Sequence, residues 1–355
     1  MRMYTYNRPT FIFDNSYSEA SLGTYNTAYL SNFYLSHQYN STMGSIYNNT
    51  LADGAFAGCK ISGSDFNYLH SSVRDYCFCG TQFSSINTDA FSNVTGINAA
   101  GFMEASFPRT TTIAFDNCLS IGSSAFAGTM GSIISFPIVK RISTCAFREC
   151  TATPNIDFAS VVRIESSAFQ FCRTISSMTA PLLTTIQDNT FWEGSMRYVD
   201  CPSVTQIRSG AFYRNKEAFS FFSTPALTSI SASAFYNCSF RNSNVINWSN
   251  LRYIESEAFY NAYFNNVNVF IGNSETDITI GSRAFYNTQI TGSTSINFDG
   301  YCIFKSSVFA RAQISYLNFN NGMSSAGPGI FSLASIYDCQ LLNESIIHSY
   351  IFQNV

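Results

Sequence analysis

The chain has 355 residues and a formal net charge of −3; 46% of its residues are hydrophobic and only 12% are charged. That length and apolar content suffice for several domains or one long repeat array, and the low charge leaves Ser, Thr, Asn and Tyr to cover most of the surface. Because no basic block is present, the composition excludes the electrostatic footprint of a nucleic-acid-binding protein.

The first 45 residues lack the pattern of an export signal. They contain no apolar run followed by a small-residue cleavage site. The chain also has no stretch of about 18 apolar residues, the length that crosses a membrane as a helix. Residues 1–45 are rich in Tyr, Asn and Ser, and we expect them to cap the N-terminal end of the fold or to dock on a partner.

A six-residue frame, Ile-x-x-x-Ala-Phe, recurs along the middle of the chain, and a fixed period of this length indicates a repeat array. Its closing residue stands at Phe126, Phe147, Phe169, Phe191, Phe212, Phe235, Phe259, Phe285 and Phe309. Degenerate copies are predicted to end at Phe56, Phe78 and Phe91. The long gap between Phe91 and Phe126 predicts an insertion in one repeat.

Other positions repeat together with the phenylalanine. Pro often stands ten residues before it and Val or Leu eight before it, and Cys stands three after it at Cys59, Cys150, Cys172 and Cys238. Upstream of the proline position, apolar and polar residues alternate, which predicts a β-strand with one buried face. Proline ends such a strand readily because it has no N–H to donate.

Parallel stacking explains why one phenylalanine returns in every repeat. Equivalent residues of stacked strands lie about 4.8 Å apart, so the rings are predicted to form one continuous ladder. Alanine beside each ring leaves space at a tight bend, and the polar triplet before it suits the first turn of a short helical segment. Since one repeat cannot bury its own apolar side, the array is expected to be stable only as a stack.

The whole unit, P-x-[VL]-x-x-I-x-x-x-A-F-x-x-C, resembles the leucine-rich repeats of the BspA-like type. The resemblance is strong over residues 110–312 and weaker over residues 50–109. It implies a β-rich repeat solenoid, a leucine-rich-repeat array with a parallel sheet and short helical turns. It also implies binding rather than catalysis, commonly at a cell surface where family members attach to host or matrix components.

Three segments are predicted along the chain. Residues 1–45 form the N-terminal cap or docking segment, residues 46–323 form the solenoid with regular repeats over 110–312, and residues 324–355 form a C-terminal cap. The cap begins at Ser-Ser-Ala-Gly-Pro-Gly, where the period is broken. Caps are expected because an open stack exposes apolar side chains and unpaired strand edges.

The residue types that usually carry chemistry give little sign of an active site. The cysteines of the repeat position are predicted to be buried, reduced and structural, and Cys77 and Cys79 lack the two further ligands of a zinc site. The three histidines are scattered, and the glycines form no phosphate-binding loop. We therefore expect no cofactor, no metal and no enzymatic activity.

One pair of carboxylates keeps an enzyme among the alternatives. Asp157 and Asp200 are predicted at the same outward strand position two repeats apart. Stacking would separate them by about 10 Å, at or beyond the upper end of the range for an inverting glycosidase pair. Solvated surface acids are the simpler interpretation, so a carbohydrate-active enzyme ranks last among the functions considered.

The predicted binding surface consists of two outward rows of the strands before the proline position. One row is small and polar, and the next carries aromatic and aliphatic residues. The residues predicted to contact a partner are Asp157, Thr179, Tyr198, Asp200, Phe221, Ser223 and Asn247. Exposed Tyr and Phe beside small polar residues suit a protein hot spot or sugar stacking. The alternative is that long side loops cover the aromatic row.

These features favour a non-enzymatic binding or adhesion scaffold that recognises a protein or glycan through the solenoid face, displayed on a cell or virus surface. The alternative is a structural, decoration or receptor-binding component of a phage particle, docked into a larger assembly through residues 1–45. Such a component would fold without an export signal and keep free thiols. Neither nucleic-acid binding nor membrane insertion is expected.

Overall fold

The structure is a computed structural model, and it describes residues 53, 56–58, 60–61, 72–109, 111–241, 245–275 and 277–341. The predicted N-terminal segment 1–45 lies outside the described residues, as do Cys59 and residues 342–355. The described residues form a parallel β-solenoid with almost no helix. A single 3-10 turn, Phe158–Ser160, is the only helical element among them.

Each coil carries short strands on up to three sides. Side A holds the strand before the proline position, side B the strand with the frame isoleucine, and side C the strand after the Ala-Phe turn. On side A the first two sheets each have three strands: Thr112–Ala114, Ile133–Phe136 and Thr153–Ile156, then Ser177–Thr179, Tyr198–Asp200 and Phe221–Ser223.

Side B carries the longest run of strands. Its four-stranded and seven-stranded sheets consist of Gly96–Ile97, Ser120–Ile121, Arg141–Ile142 and Arg163–Ile164, then Thr185–Ile186, Gln206–Ile207, Ser229–Ile230, Tyr253–Ile254, Asp277–Ile280, Tyr301–Phe304 and Met323–Ala326. The pairing places Ile97, Ile121 and Ile142 in one register, all of them buried. The frame isoleucine therefore forms the core row of side B.

Side C begins with the pair Lys60–Ile61 and Gln82–Phe83. Near the C-terminal end, sides C and A merge into one eight-stranded sheet because three strands run around the corner between them. That sheet contains Ala218–Phe219, Ser239–Arg241, Ile246–Trp248, Tyr263–Asn265, Asn268–Ile271, Gln289–Phe298, Gln313–Phe319 and Ser335–Leu341.

The predicted phenylalanine ladder is confirmed, and it runs through the whole described stack. Neighbouring ring centroids lie 4.9–5.4 Å apart and neighbouring rings are nearly parallel. All the rings are buried. The members are Phe56, Phe78, Phe102, Phe126, Phe147, Phe169, Phe191, Phe212, Phe235, Phe259, Phe285, Phe309 and Phe331.

The prediction for Phe91 was wrong. Phe102 occupies the ladder between Phe78 and Phe126, whereas Phe91 stacks on Phe115 at 5.2 Å, in a second aromatic row. The coil that ends at Phe102 therefore contains no insertion. The sequence misled because Gly101 replaces the alanine of the frame, while Ala90 happens to precede Phe91.

The Ala-Phe segments are successions of hydrogen-bonded turns. In the coil of Phe126, the N–H of Ala125 donates to the oxygen of Gly122, and that of Ala127 to the oxygen of Ser124. The residues two before and two after the phenylalanine have positive φ, 54° at Ser124 and 67° at Gly128. The predicted short helical turns take this form because the left-handed residues prevent a continuous helix.

In the turns from Phe78 to Phe309, these left-handed residues direct three N–H groups along the solenoid. In the same coil, the N–H groups of Ser124, Phe126 and Gly128 donate to the oxygens of Thr144, Ala146 and Arg148 in the next coil, at 2.7–2.9 Å. The residue before the ring, most often alanine, thus supplies a carbonyl acceptor, and its side chain is fully buried, as at Ala125 and Ala146. Backbone bonds at the turns join the coils as the strands do.

The coil geometry continues beyond the point where the sequence pattern fades. Phe331 stacks on Phe309 at 5.4 Å, and Gly327 donates from its N–H to the oxygen of Phe304 at 2.9 Å. The strand Ser335–Leu341 then pairs with Gln313–Phe319 in parallel. The described part of the predicted C-terminal cap therefore begins with a further coil.

Removing one ring from the ladder should be costly. Phe191 is 1% exposed and stacks on Phe169 and Phe212, both at 5.4 Å. We expect Phe191→Ala to lower the free energy of unfolding by about 3–5 kcal/mol, measured by urea denaturation, because it leaves a cavity in a closely packed core. The exposed Tyr253→Ala serves as control and should change it by less than about 0.5 kcal/mol. A loss below about 1 kcal/mol at Phe191 would contradict burial of the ladder.

Two glycines of one coil should differ sharply in their response to alanine. Both have positive φ, but a Cβ on Gly131 would collide with the carbonyl of Phe107, whereas the nearest atom to one on Gly128 would be Glu104 Cγ at 3.4 Å. Gly128→Ala should cost about 1–2 kcal/mol, the ordinary penalty of a left-handed residue. Gly131→Ala should cost clearly more in the same denaturation experiment, and equal costs would contradict the close approach of the two coils.

Candidate binding face

Three of the predicted binding residues form a row on side A. Thr179, Asp200 and Ser223 occupy equivalent positions of three adjacent parallel strands. Their neighbours along the strands, such as Val199, point inward and are buried. Alternation along each strand thus leaves the small polar row at the surface, as the sequence predicts.

The aromatic row lies beside the polar row. Tyr198 and Phe221 are paired in register, and their rings stack with centroids 4.5 Å apart at an interplanar angle of 11°. Both side chains are half-buried, while Val245 in the next coil is 59% exposed. The row is therefore accessible at the surface of the described residues.

A groove of about 250 Å³ opens next to the aromatic pair. It lies where the three-stranded sheet of side A ends at Phe221–Ser223 and the eight-stranded sheet begins with Ile246–Trp248. The lining residues are Phe221, Phe222, Ser223, Thr224, Pro225, Val245 and Asn247.

The groove has a fixed floor and one polar wall. Trp248 is buried and donates its indole N–H to Thr224 Oγ1 at 3.0 Å, which links the coils on either side of the break. The exposed Asn247 accepts from the N–H of Ser249 through Oδ1, and that bond holds its side chain near the groove. The structure thus brings Asn247 close to Phe221 and Ser223 across the groove.

Asp157 does not join this surface, and its predicted position was wrong. The strand Thr153–Ile156 pairs with Ile133–Phe136 so that Asn155, not Asp157, lies opposite Ser135. Asp157 follows the strand and accepts from the N–H of Ala159, which begins the 3-10 turn Phe158–Ser160. The strand ends before reaching the proline position because this turn intervenes. The expected outward row containing both Asp157 and Asp200 is therefore not formed.

The cysteines are placed as structural residues. The ten described cysteines all carry free thiols. Cys238 donates from its Sγ to the oxygen of Phe212 at 2.9 Å, and Thr288 donates to Phe259 at the same repeat position. Each of these phenylalanine carbonyls also accepts the backbone N–H of a residue in its own turn, Asn215 for Phe212 and Ala262 for Phe259. The buried cysteine or threonine side chain therefore supplies a second hydrogen bond to the carbonyl.

Burial also makes these thiols poor nucleophiles. Burial raises the pKa of Cys118, Cys201 and Cys238 to about 12 each. Because the thiolate is the reactive form, these groups are almost wholly protonated at neutral pH. Within the described part of the chain, no three His, Cys, Asp or Glu side chains lie close enough together to hold a metal ion.

Comparison with known families accounts for the repeat geometry. A model of the BspA-type leucine-rich-repeat region matches residues 27–153, 96–218, 140–266 and 228–355 in overlapping stretches. The chain belongs to the BspA-type leucine-rich-repeat family. No curated protein and no solved structure shows significant similarity to it.

Membership in the BspA-type family indicates a repeat scaffold for protein binding or adhesion, of a kind that is typically not catalytic and is often surface-associated. In the BspA-type coils described above, the frame residues face the core, and the side chains between them face outward. No helix of the described residues is both long and apolar enough to span a membrane.

A second accessible aromatic row was missed by the sequence analysis. It consists of the residues directly after the frame phenylalanine, Trp192, Tyr213, Tyr236, Tyr260 and Tyr286. Their rings stack in order along the outside of the Ala-Phe turns. The signal was present in the sequence, since five successive repeats place an aromatic residue at this one position.

The thiols should resist modification in the native protein. At pH 8, iodoacetamide should leave Cys118, Cys201 and Cys238 unmodified while reacting faster with the half-buried Cys145, as followed by peptide mass spectrometry. After unfolding in guanidinium chloride all four should react. Rapid native labelling of Cys238 would contradict its burial and its hydrogen bond to Phe212.

Proposed function

We propose that this protein is a non-enzymatic recognition scaffold, displayed on a cell or virus surface, that binds a protein or glycan through side A. The observation that carries the proposal is the Tyr198–Phe221 stack beside the groove. Two stacked rings are held at the surface although the core does not require them. Aromatic anchors of this kind dominate the binding energy of many interfaces.

The neighbouring residues suit close approach by a partner. Thr179 and Ser223 are small, so a partner can reach the sheet surface next to the two rings. Asp200 is the only charged residue of the two rows between Ser177 and Asn247, so few charges must lose their water on binding. Tyr, Ser, Thr and Asn together resemble the composition of antibody paratopes.

The groove supplies a place for an anchoring side chain or sugar of the partner. Its walls carry Phe221 and Val245 as apolar groups and Asn247 as a hydrogen-bonding group. The bond from Trp248 to Thr224 fixes the floor. A rigid site loses less conformational entropy on binding. Display at a surface agrees with the frequent surface association of BspA-type proteins.

The test is the pair of substitutions Tyr198→Ala and Phe221→Ser. The probes are cultured animal cells and immobilised extracellular-matrix proteins, and bound protein is quantified by fluorescence. We expect the double variant to bind at least about tenfold more weakly, because two central aromatic contacts are lost.

The matched control is Tyr253→Ala with Tyr301→Ser, which removes two exposed tyrosines from side B. It should leave binding unchanged. Thermal unfolding is recorded for every variant. Unchanged binding by the Tyr198→Ala/Phe221→Ser protein would reject side A, and a large fall in its melting temperature would show that the two rings are core residues instead.

A further inference from the structure

The aromatic row on the Ala-Phe turns is a regular surface that the proposed binding side does not use. We call Trp192, Tyr213, Tyr236, Tyr260 and Tyr286 the turn ladder. Successive ring centroids lie 4.0, 4.7, 4.9 and 4.9 Å apart, and the interplanar angles do not exceed 20°. All five side chains are half-buried.

Backbone geometry holds the turn ladder in place. Each ladder residue lies between the buried frame phenylalanine and a left-handed residue. Tyr236, for example, lies between Phe235 and Asn237. Gly210 leaves room for the first ring of the ladder, because a Cβ there would lie 3.2 Å from the ring of Trp192. The rings are therefore preorganised before any partner arrives.

A row of carboxamides runs beside the rings. Asn237, Asn261 and Asn287 each follow a ladder tyrosine, and each has positive φ, between 52° and 56°. Asn287 donates from its side-chain nitrogen to Asn261 Oδ1 at 2.7 Å. The tyrosine hydroxyls thus form one row and the asparagine carboxamides a second, parallel row, each with the period of the coils.

The two arginines beside the rings are paired with carboxylates. Arg214 lies over the ring of Tyr213 at 5.4 Å and 4.0 Å from Glu193, and Arg283 lies over the ring of Tyr286 at 5.8 Å. Arg283 also pairs with Glu257 at 3.8 Å. Burial, followed by the neighbouring Tyr213 and Tyr260, raises the pKa of Tyr236. A tyrosine hydroxyl is protonated at neutral pH even without this shift, so it remains a hydrogen-bond donor there.

From this geometry we propose that the turn ladder is a binding site for a linear, uncharged, β-1,4-linked polysaccharide lying parallel to the solenoid axis. The partner of a periodic surface must itself have units that advance with that period. In an extended β-1,4-linked chain, pyranose rings advance by nearly the distance between two coils. Successive rings are turned over, so the chain repeats with every second coil and presents hydroxyls to the tyrosine and asparagine rows at each coil.

An extended peptide fits this surface poorly. Its residues rise about 3.4 Å each, so neither one residue nor two matches rings 4.7–4.9 Å apart. A polyanion would meet the carboxylates of Glu193 and Glu257, which already pair with Arg214 and Arg283, the two cations beside the rings. The polysaccharide site lies on the turns and is independent of side A.

The experiment measures the binding of cellohexaose and chitohexaose by isothermal titration calorimetry, with 1,3-linked laminarihexaose as the mismatched probe. We expect the wild-type protein to bind at least one 1,4-linked chain at least about tenfold more tightly than laminarihexaose. Quenching of the fluorescence of Trp192, compared with a Trp192→Phe variant that retains only the buried Trp248, reports where the chain lies.

Two ladder variants and two controls locate the site. Tyr236→Ala with Tyr260→Ala should weaken binding at least about tenfold, whereas Tyr253→Ala, an exposed tyrosine on side B, should not change it. Tyr236→Phe with Tyr260→Phe keeps the stacked rings and removes only their hydroxyls. This phenylalanine variant should also weaken binding. If the alanine variant fails to fold, the phenylalanine variant alone decides whether the ladder binds the chain. Tyr198→Ala with Phe221→Ser should bind the chain normally.

Three results would overturn the proposal. The first is that neither 1,4-linked chain binds, or that laminarihexaose binds equally well. The second is that both the folded alanine and phenylalanine variants bind as the wild type does. The third is that binding disappears with Tyr198 and Phe221 and survives the ladder variants, which would place the glycan on side A and leave the proposed function intact.

Discussion

The set of hydrogen bonds between successive Ala-Phe turns is the constraint on which the rest of the structure depends. Three N–H groups of each turn must point at the next coil, which requires left-handed residues two places on either side of the phenylalanine. Non-glycine residues such as Glu193 and Arg214 accept this conformation at a cost of about 1–2 kcal/mol each. The bonds and the buried ring between them compensate for that cost. Because the same demand returns in every coil, the frame must be repeated in every coil.

Because the frame residues supply the core and the turns, the outward-facing positions of the repeat can carry binding residues. The frame isoleucine, alanine and phenylalanine are all buried, so binding cannot involve them without unfolding the coil. The side chains between them face outward at fixed intervals, on side A as Tyr198 and Phe221 and on the turns as Tyr236 and Tyr260. A solenoid of this kind converts any residue that recurs in the repeat into a continuous row on its surface. Its binding properties therefore depend on whether neighbouring repeats carry similar or different side chains.

The positions of residues that the core requires in every coil could be predicted from the sequence. The positions of residues in coils that depart locally from the repeat could not. The ladder from Phe126 to Phe309 follows from spacing alone. Phe102 escaped notice because Gly101 supplies the same small volume and carbonyl as alanine without matching the frame. Asp157 was misplaced because the strand before it pairs two residues away from the expected register. A 3-10 turn follows that strand, so the length of the repeat does not reveal the shift. The short strands of side C, such as Ala218–Phe219 and Tyr263–Asn265, were not predicted, since two or three residues are too few to show alternation.

The hydrogen bonds between the turns all run in one direction, from the N–H groups of one coil to the carbonyls of the next, from Phe56 to Arg311. Along the turns the peptide dipoles point the same way, with the negative end toward the first coil and the positive end toward the last. The bonds that follow the frame isoleucine run the other way, as from Ser143 to Ile121. At the turns, the two ends are therefore chemically unlike. A segment that extends the stack at its first coil must offer N–H groups, and one that extends it at its last coil must offer carbonyls. Through these turns, two copies of the solenoid could join end to end only head to tail, a contact that propagates into a filament and cannot close into a symmetric dimer.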